Sequence, residues 1–394
     1  MATDDLSPDY SILSGIPIIK DSVSDMQNKF KEKCNVISSN FTTCTFDIRL
    51  DTSPADFPQH VLVRLESSND HFATVAALQK LANSQLPDLV PQVLDVGTTS
   101  TAEGKKLEYS VTEFVSDAVT LEQEWDKLDG PAQKDLMSSI IAAISKLQSI
   151  TLDSDHAHKM LKGTPYYCDG KMSLIGGPEL GYHSDMKGFL ANLAGDATPD
   201  KTKFSATSSS DAFVVESQLE NVDQVELINV DLLELEKHIV FCHDDLEPRN
   251  ILIKRDGSQS GKWHLAAIID WEMAGFFPFA YEYGHKDAAL GSSNLHFSYY
   301  ALFKEQSRHL LAGGKSAIKL LEALRAMDVS KKSCPTKNVG RRFHARWLER
   351  EKVELSSDVR DGWVRKADAG DVGVFTKQDN DDLEMEVLKE LGYV

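Results

Sequence analysis

Alternating apolar and polar residues predict strands in the first third of the chain, arranged around one helix. The runs 46–50 and 60–65 are typical of half-buried strands, the second being rich in β-branched residues. Apolar residues at helical spacing predict an amphipathic helix over roughly 70–83. Two more strands are predicted over 93–96, ended by a glycine, and over 109–115. This order of elements is typical of a small antiparallel α+β unit.

The pattern becomes helical from about residue 120 onward. One helix is predicted from Gly130-Pro131 to Leu147, a second over 223–238, and further helices over 285–326. Between the helix predicted over 223–238 and the helices predicted over 285–326, the apolar runs 250–253 and 263–269 flank a turn that contains Asp256-Gly257. We expect these two runs to pair as a β-hairpin.

Changes in composition suggest where the chain divides. Residues 150–222 are rich in Gly, Ser and Asp, and Ser205 to Ser210 is predicted to be a mobile loop. The tail after 330 begins with basic residues and ends with acidic ones. The predicted divisions are an N-terminal extension (1–30), an N-terminal lobe (31–115), a C-terminal lobe (116–330) and a C-terminal extension (331–394).

The charge of the chain excludes some classes of partner. Its 394 residues carry a formal net charge of −19, which argues against electrostatic binding to nucleic acid or to an anionic membrane. No signal-peptide pattern and no apolar run of about 18 residues are found, so neither secretion nor a membrane span is predicted. The five cysteines are scattered without a CxxC pair, which indicates reduced thiols in a cytoplasmic protein.

The stretch from His243 to Asn250 carries the most chemical information. It reads His243-Asp244-Asp245-Leu246-Glu247-Pro248-Arg249-Asn250 and has the form H-x-D-L-x-P-x-N. Asp270 follows the returning strand of the predicted hairpin. Because the two strands return to the same end of the hairpin, we expect Asn250 and Asp270 to approach each other, with Asp245 on the loop above.

Phosphoryl transfer needs this set of side chains. Its transition state is highly charged, so catalysis depends mainly on positioning and on charge neutralisation. Asn250 and Asp270 provide the oxygen ligands that Mg²⁺ prefers, and Asp245 would orient the attacking hydroxyl and accept its proton. His243 would brace the loop. A single Asp or Asn in a loop usually serves the turn itself, but the combined pattern favours a kinase-like site.

These residues resemble those of a known family. HDDLEPRNILI followed by IIDWEMAGFFPFAYEY is similar to the aminoglycoside phosphotransferase and choline kinase-like group, particularly its fungal-type branch. The resemblance implies an α+β, bilobal protein-kinase-like fold with a small antiparallel-sheet N-lobe and a mainly helical C-lobe. It also implies ATP and Mg²⁺, with Asp245 as the catalytic Asp and with Asn250 and Asp270 as metal ligands.

The chain departs from the family pattern at four places. The turn expected over the phosphates, 38–43, contains no glycine, and Arg64 stands where a strand Lys usually pairs with the phosphates. Thr74 occupies the position of the helix Glu that would orient that residue, so no partner is expected to orient Arg64 in the usual way. Asp244 replaces the common Gly beside the catalytic Asp.

Three further features concern binding, and the last two have more than one interpretation. The backbone of Glu113 and Val115 would meet an adenine edge where the lobes join. Glu272 would touch a second metal or a substrate amine, or is a surface acid. The basic stretch from Lys331 to Arg346 is either a solvated helix face or a partner site.

The leading functional prediction is a small-molecule kinase that transfers the γ-phosphate of MgATP to a hydroxyl. A protein kinase is disfavoured because G-x-G-x-x-G, D-F-G and A-P-E motifs are not found. The alternative is a non-catalytic binding protein with a degenerate nucleotide site. The acidity around Asp245, from Asp244, Glu247 and Glu272, predicts a neutral-to-cationic acceptor.

Overall fold

The computed structural model of the protein describes residues 6–23, 34–50, 57–67, 71–168, 171–197, 199–257, 261–334 and 338–394. The chain divides into two units. The first comprises residues 1–118, 153–170 and 266–272, and the second comprises 119–152, 171–265 and 273–394. The first unit therefore includes two segments that lie far along the sequence from its N-terminal part.

The elements of the described residues are numbered here in chain order. The helices are α1 (Tyr10–Ser14), α2 (Pro17–Val23), α3 (Phe72–Gln85), α4 (Leu121–Glu124), α5 (Gly130–Leu147), α6 (Asp155–Leu161), α7 (Met186–Ala194), α8 (Pro199–Thr202), α9 (Asn229–Glu236), α10 (Phe279–Ala289), α11 (Phe297–Ser307), α12 (Gly314–Ser333), α13 (Val339–Arg350) and α14 (Lys377–Leu391). The strands are β1 (Cys34–Ser39), β2 (Thr43–Arg49), β3 (His60–Ser67), β4 (Val93–Ser100), β5 (Lys106–Glu113), β6 (Val119–Thr120), β7 (Tyr167–Cys168), β8 (Lys171–Met172), β9 (Ile175–Gly177), β10 (Gly181–His183), β11 (Phe204–Ser208), β12 (Ala212–Ser217), β13 (Val225–Ile228), β14 (Ile239–Cys242), β15 (Ile251–Arg255), β16 (Trp263–Ile268), β17 (Gly275–Pro278), β18 (Val353–Leu355) and β19 (Trp363–Arg365). None of these helices is long and apolar enough to cross a membrane.

The first unit is built on a five-stranded antiparallel sheet in the order β1-β2-β3-β5-β4. Side chains alternate between the two faces of a strand, so Val61, Val63 and Leu65 of β3 are buried and the residues between them are partly exposed. The helix α3 packs against β4 and β5. The predicted helix and the predicted strands around it are confirmed.

One predicted strand boundary is wrong. β4 continues through Gly97 to Ser100 instead of ending before the glycine. Gly97 lies opposite Tyr109 of β5, and a Cβ at this position would lie 2.8 Å from the Tyr109 hydroxyl oxygen. The glycine therefore makes room for a neighbouring aromatic ring and does not interrupt the strand.

The N-terminal residues contribute to the core of the first unit. α1 begins after Asp9, whose carboxylate accepts a hydrogen bond from the Ile12 N–H at 2.8 Å. Ile12, Leu13 and Ile16 are fully buried in the same apolar cluster as the sheet residues. The predicted N-terminal extension thus includes helices that the sequence pattern did not indicate.

The second unit is mainly helical and contains several small sheets. α5 confirms the helix predicted from Gly130, and Asp129 caps it by accepting from the Ala132 N–H at 2.9 Å. One sheet has the order β10-β9-β17-β14, and another contains β6, β15 and the beginning of β16 in the order β16-β15-β6. The predicted pairing of the strands around Asp256-Gly257 is confirmed.

Two predictions for the second unit are wrong. The predicted mobile loop from Ser205 lies mostly in β11, which pairs with β12. The predicted helix over 223–238 begins with the strand β13, and α9 starts only at Asn229. Val225 and Leu227 alternate with exposed residues, a period of two that the helical spacing of the longer segment concealed.

The tail after residue 330 packs onto the rest of the second unit. Trp347 of α13 is fully buried against Leu290 and Tyr300. Arg342 and Arg346 of α13 both pair with Glu390 of α14. The basic beginning of the tail is therefore bound in part to its acidic end.

Candidate active site

The loop that follows β14 carries the residues from His243 to Asn250. β14 pairs with β17, so the loop starts at a fixed position in the sheet. His243 is buried, and its Nδ1 accepts a hydrogen bond from the Asp245 N–H at 3.2 Å. The segment Pro248–Asn250 forms a short 3₁₀ turn, which folds the end of the loop back toward Asp245.

The carboxylate of Asp245 is held by two side chains of its own loop. Arg249 Nη2 donates to Oδ1 at 2.9 Å and to Oδ2 at 2.7 Å. Asn250 Nδ2 donates to Oδ2 at 2.7 Å and to the Asp245 carbonyl oxygen at 2.9 Å. Arg249 Nη1 donates to the Ser293 carbonyl oxygen at 2.9 Å. These contacts fix the plane of the carboxylate.

Helix α10 presents three charged residues to the same loop. Glu282, His285 and Lys286 are three and four residues apart and therefore share one helix face. Lys286 Nζ donates to the Leu246 carbonyl oxygen and to Glu247 Oε1, both at 2.7 Å. His285 Nδ1 lies 3.3 Å from Asp244 Oδ1, and the Asp244 N–H donates to Glu282.

Asp244 has a left-handed backbone conformation. Its φ is +62°, a region that glycine adopts easily and most other residues avoid. This conformation explains why the related motif commonly has Gly there. The side chains of Asp244 and Glu247 are buried and paired with His285 and Lys286. Their charges are therefore compensated within the protein.

The buried ionic groups have shifted pKa values. Burial raises the pKa of Asp244, although His285 opposes the shift. Burial would lower the pKa of His285, but the charge and the hydrogen bond of Asp244 raise it to about 9. Burial also raises the pKa of Glu282 to about 7, with Lys286 acting in the opposite direction.

The first unit holds Arg64 in a second ionic cluster. Arg64 Nη1 donates to Asp270 Oδ1 at 3.2 Å, and Nη2 donates to Glu272 Oε2 at 2.5 Å. Burial would lower the pKa of Arg64, but Glu272 and Asp270 raise it above its usual value. The helix glutamate that usually orients this residue is missing from α3, and Arg64 is oriented in another way. Thr74 is buried in α3, and Glu272 and Asp270 supply the carboxylates instead.

The glycine-free turn between β1 and β2 is closed by Asn40. Its Oδ1 accepts from the N–H groups of Thr42 and Thr43, both at 2.8 Å. The exposed Phe41 lies between them in the chain. Two backbone amides of this turn are thus occupied by a side chain in this conformation.

The candidate adenine segment lies at the end of β5. Glu113 is exposed, and its N–H donates to the Gln92 carbonyl oxygen at 3.0 Å. The N–H of the next residue, Phe114, donates to the His60 carbonyl oxygen at 3.2 Å, and Val115 is half-buried.

Comparisons with known proteins identify the family. The model of the phosphotransferase enzyme family matches residues 62–285, which is more than half of the chain. The chain belongs to the phosphotransferase enzyme family. This membership confirms the predicted phosphotransferase activity. The antiparallel sheet of the first unit and the mainly helical second unit confirm the α+β fold class, whereas the likeness to protein kinases and the fungal-type branch stay predictions.

Solved structures similar to this phosphotransferase include aminoglycoside phosphotransferases. A mutant of aminoglycoside 2'-phosphotransferase-IIIa in complex with GDP is 13% identical, with a TM-score of 0.43 and 96% of both chains covered. The ternary complex of APH(2'')-IIa with streptomycin and ATP is 10% identical, with a TM-score of 0.39, and covers 83% of this chain and 96% of its own. ADP-bound APH(2'')-Ib is 9% identical, with a TM-score of 0.38 and the same coverage. A search of curated proteins found no match.

The chemistry of Asn250 and Asp270 in the phosphotransferase fits a magnesium ion. Asn250 donates through Nδ2 to Asp245, which leaves its Oδ1 as the atom of the amide suited to a cation. Asp270 provides a carboxylate shortly after the end of β16, and its backbone has a φ of +67°. No group of three or more His, Cys, Asp or Glu residues in the described part of the chain is arranged to hold a metal. Mg²⁺ usually takes only one or two carboxylates from the protein, so this set suits it better than zinc. Asn250 and Asp270 belong to different units, and their predicted approach stays a prediction.

Sequence reasoning missed the partners that hold the loop. Arg249 lies inside the motif, and its spacing of four residues from Asp245 is the signal that was available. Glu282, His285 and Lys286 form a polar face on a helix that is otherwise largely apolar. Such a face on a buried helix indicates buried polar partners.

Proposed function

We propose that this phosphotransferase is a small-molecule kinase that transfers the γ-phosphate of MgATP to a hydroxyl group. The observation that carries the proposal is the Asp245 carboxylate, held by Arg249 and Asn250 on a loop that is itself anchored to a helix. Phosphoryl transfer depends mainly on positioning, so a carboxylate fixed in this way suits a residue that orients a hydroxyl.

Each residue of the loop has a distinct proposed role. Asp245 orients the acceptor hydroxyl and takes its proton while the bond from the hydroxyl oxygen to the γ-phosphorus forms and the bond from that phosphorus to the oxygen of the leaving ADP breaks. His243 braces the loop through the Asp245 N–H. Arg249 and Asn250 keep the carboxylate in one orientation.

We propose that the nucleotide is bound by residues of the loop after β14, of the segment after β16 and of the five-stranded sheet. We assign Asn250 and Asp270 as ligands of Mg²⁺, which supplies positive charge to the triphosphate when it is bound. Arg64 pairs with the phosphates, and the backbone of Glu113 and Val115 faces the adenine edge. Because Arg64 contacts Asp270 and Glu272 in this structure, we propose that nucleotide binding exchanges these carboxylates for phosphate oxygens.

We further propose a neutral-to-cationic acceptor in a cytoplasmic protein. The net charge of −19 supports an amine-bearing molecule over an acidic one. Asp244 and Glu247 no longer support this argument because both are buried and paired, and Glu272 supports it only when released from Arg64. Cys34, Cys44, Cys242 and Cys334 are free thiols, which supports a reducing location.

A thermal-shift titration tests nucleotide binding. ATP with Mg²⁺ is expected to raise the melting temperature, with an increase that grows as the logarithm of its concentration above Kd, and ATP with a chelator is expected to raise it much less. Titration with GTP under the same conditions tests the choice of donor. An unchanged melting temperature at millimolar MgATP would contradict the proposal.

A non-catalytic binding protein is the second candidate. Two observations favour it: Asn40 occupies the amides of the phosphate turn, and Arg64 is bound to carboxylates. Stabilisation by MgATP without formation of ADP in the presence of any acceptor would support this alternative.

A further inference from the structure

Helix α10 and the loop around Asp245 are joined by a row of ionic contacts. Glu282 accepts from the Asp244 N–H, His285 pairs with the Asp244 carboxylate, and Lys286 binds Leu246 and Glu247. The residues on both sides of Asp245 are thus attached to one face of one helix. We propose that the ion pair between His285 and Asp244 positions Asp245, an inference that rests on the proposed function of Asp245.

The conformation of Asp244 makes such a partner necessary. Its left-handed φ of +62° disfavours a side chain, and its own side chain is fully buried. Asp244 Oδ1 faces His285 at 3.3 Å, whereas Oδ2 has no hydrogen-bond partner among the described residues. Without His285 the buried carboxylate would lose the cation paired with it and keep only the charge of Lys286 nearby. Either the carboxylate would take up a proton or the peptide that leads into Asp245 would rearrange.

The remaining contacts do not replace this pair. Lys286 and Tyr299 both donate to the Leu246 carbonyl oxygen, at 2.7 Å, and so fix the residue after Asp245. The residue before Asp245 is fixed by Glu282 and His285 alone among the contacts of α10. A loss of the His285 contact should therefore displace the backbone that carries Asp245, together with the carboxylate that Arg249 and Asn250 hold, without removing the loop.

A double-mutant cycle tests this role. His285→Leu is expected to lower kcat roughly 10–100-fold, because small errors in the position of a catalytic group have effects of this size. The KM for MgATP is expected to change less than about 2-fold, since the contacts described for His285 are with Asp244 and Tyr281 and not with the proposed nucleotide residues. In an Asp244→Gly background, where glycine adopts the left-handed conformation without a carboxylate, the same substitution should lower kcat less than about 3-fold. Equal losses in both backgrounds would overturn the proposal. If His285→Leu does not fold, His285→Gln, which keeps a donor but no charge, gives the same comparison.

The matched control is another histidine–carboxylate pair of the second unit. His296 Nδ1 lies 2.8 Å from Asp126 Oδ2, and none of the hydrogen bonds and ion pairs described for these two residues involves residues 243–250. His296→Leu is expected to leave kcat unchanged, although it removes a comparable ion pair. A similar loss of kcat in this variant would mean that the effect of His285 is general destabilisation, and would contradict a positioning role.

Hydrogen exchange provides a readout that needs no turnover. In His285→Leu the amides of residues 243–247 are expected to exchange faster than in the wild type, and Asp244→Gly combined with His285→Leu should restore much of the protection. Unchanged exchange in His285→Leu would overturn the proposal even if the kinase activity is present. Faster exchange in a protein that transfers no phosphate would instead contradict the proposed function and leave the structural coupling intact.

Discussion

The guanidinium of Arg249 binds both carboxylate oxygens of Asp245, at 2.9 and 2.7 Å. The two residues lie four positions apart, and the short turn that begins at Pro248 brings them together. Arg249 is itself anchored to the Ser293 carbonyl oxygen. One nitrogen, Nη2, spans both oxygens while the other terminal nitrogen, Nη1, is anchored, so the Asp245 carboxylate is oriented before any substrate binds.

Asp245→Asn is expected to abolish phosphate transfer and to leave the fold intact. The amide has nearly the same shape but cannot accept the hydroxyl proton or carry the charge that orients it. A loss of about 10²–10⁴-fold in kcat is expected for a group that acts as a base. The measurement is ADP release with an acceptor present, with circular dichroism to verify folding. Near wild-type turnover by a folded variant would remove Asp245 from the mechanism.

Arg249→Lys is expected to lower kcat by roughly 10-fold with little change in the affinity for MgATP. Lysine keeps the positive charge but has one nitrogen, so it cannot bind Asp245 and the Ser293 carbonyl oxygen through two nitrogens held in one plane. Steady-state kinetics with varied MgATP separate the two effects. Arg255→Lys is the matched control, because Arg255 lies on β15 and contacts the ring of Trp263. A variant Arg249→Lys with increased turnover would show that Arg249 restrains Asp245 instead of positioning it.

Asp270→Ala is expected to remove the Mg²⁺ dependence of nucleotide binding. The matched control is Glu272→Ala. This variant also loses an ion pair with Arg64, which is shorter (2.5 Å) than the pair between Asp270 and Arg64 (3.2 Å), but it keeps the proposed metal ligand. Calorimetric titrations of both variants with ATP, in the presence and absence of Mg²⁺, distinguish metal binding from the loss of an Arg64 partner. An unchanged affinity of Asp270→Ala for MgATP would refute the metal assignment.

Stability is expected to fall as the pH rises from about 6.5 to about 9. The pKa of His285 is raised from 6.5 to about 9 in the folded protein, so its stabilising charge is fully present below 6.5 and is lost as the pH passes 9. The expected loss is about 1–2 kcal/mol of unfolding free energy, reduced from the full shift because His285 is partly exposed.

The charged surroundings of His285 determine how this titration is measured. Asp244 and Glu247 face it from the loop, and Tyr281 and Lys286 flank it on α10. From α12, Arg325, Asp328 and Lys331 line the same cavity of about 150 Å³. The ionisation of Glu282, whose pKa is about 7, also lowers the stability of the folded protein as the pH rises. Denaturation should therefore be compared between about pH 7.5 and 9.5, where Glu282 is mostly ionised. His285→Gln should show a smaller loss over this interval, and an equal loss would contradict the assignment.

Local sequence patterns predicted much of the fold because the signals were short-range. The alternation in β3 and the apolar face of α5 both reflect burial on one side of a single element. α1 and α2 were not predicted because each is too short to show a period, and only packing on the sheet buries Ile12 and Ile16.

At the candidate site, too, contacts between residues close in sequence differ from contacts between residues far apart in sequence. Asp245, Arg249 and Asn250 lie within six consecutive residues, so the motif contains all three, although the contact between Arg249 and Asp245 was not predicted from it. Arg64 is held by Glu272, 208 residues away, and Asp244 by His285, 41 residues away. Pairings across such separations depend on tertiary structure and leave no periodic signal in one sequence.

The most direct test of the account is Asp245-dependent ADP release from MgATP with a set of matched alcohols that carry an amine, no charge or a carboxylate. The account predicts that the wild type releases ADP when an acceptor is added, that amine-bearing or neutral alcohols are preferred, and that Asp245→Asn is inactive with all of them. Preference for the carboxylate-bearing alcohols would contradict only the predicted acceptor class. Acceptor-dependent ADP release that is equal in the wild type and in Asp245→Asn would contradict the central claim.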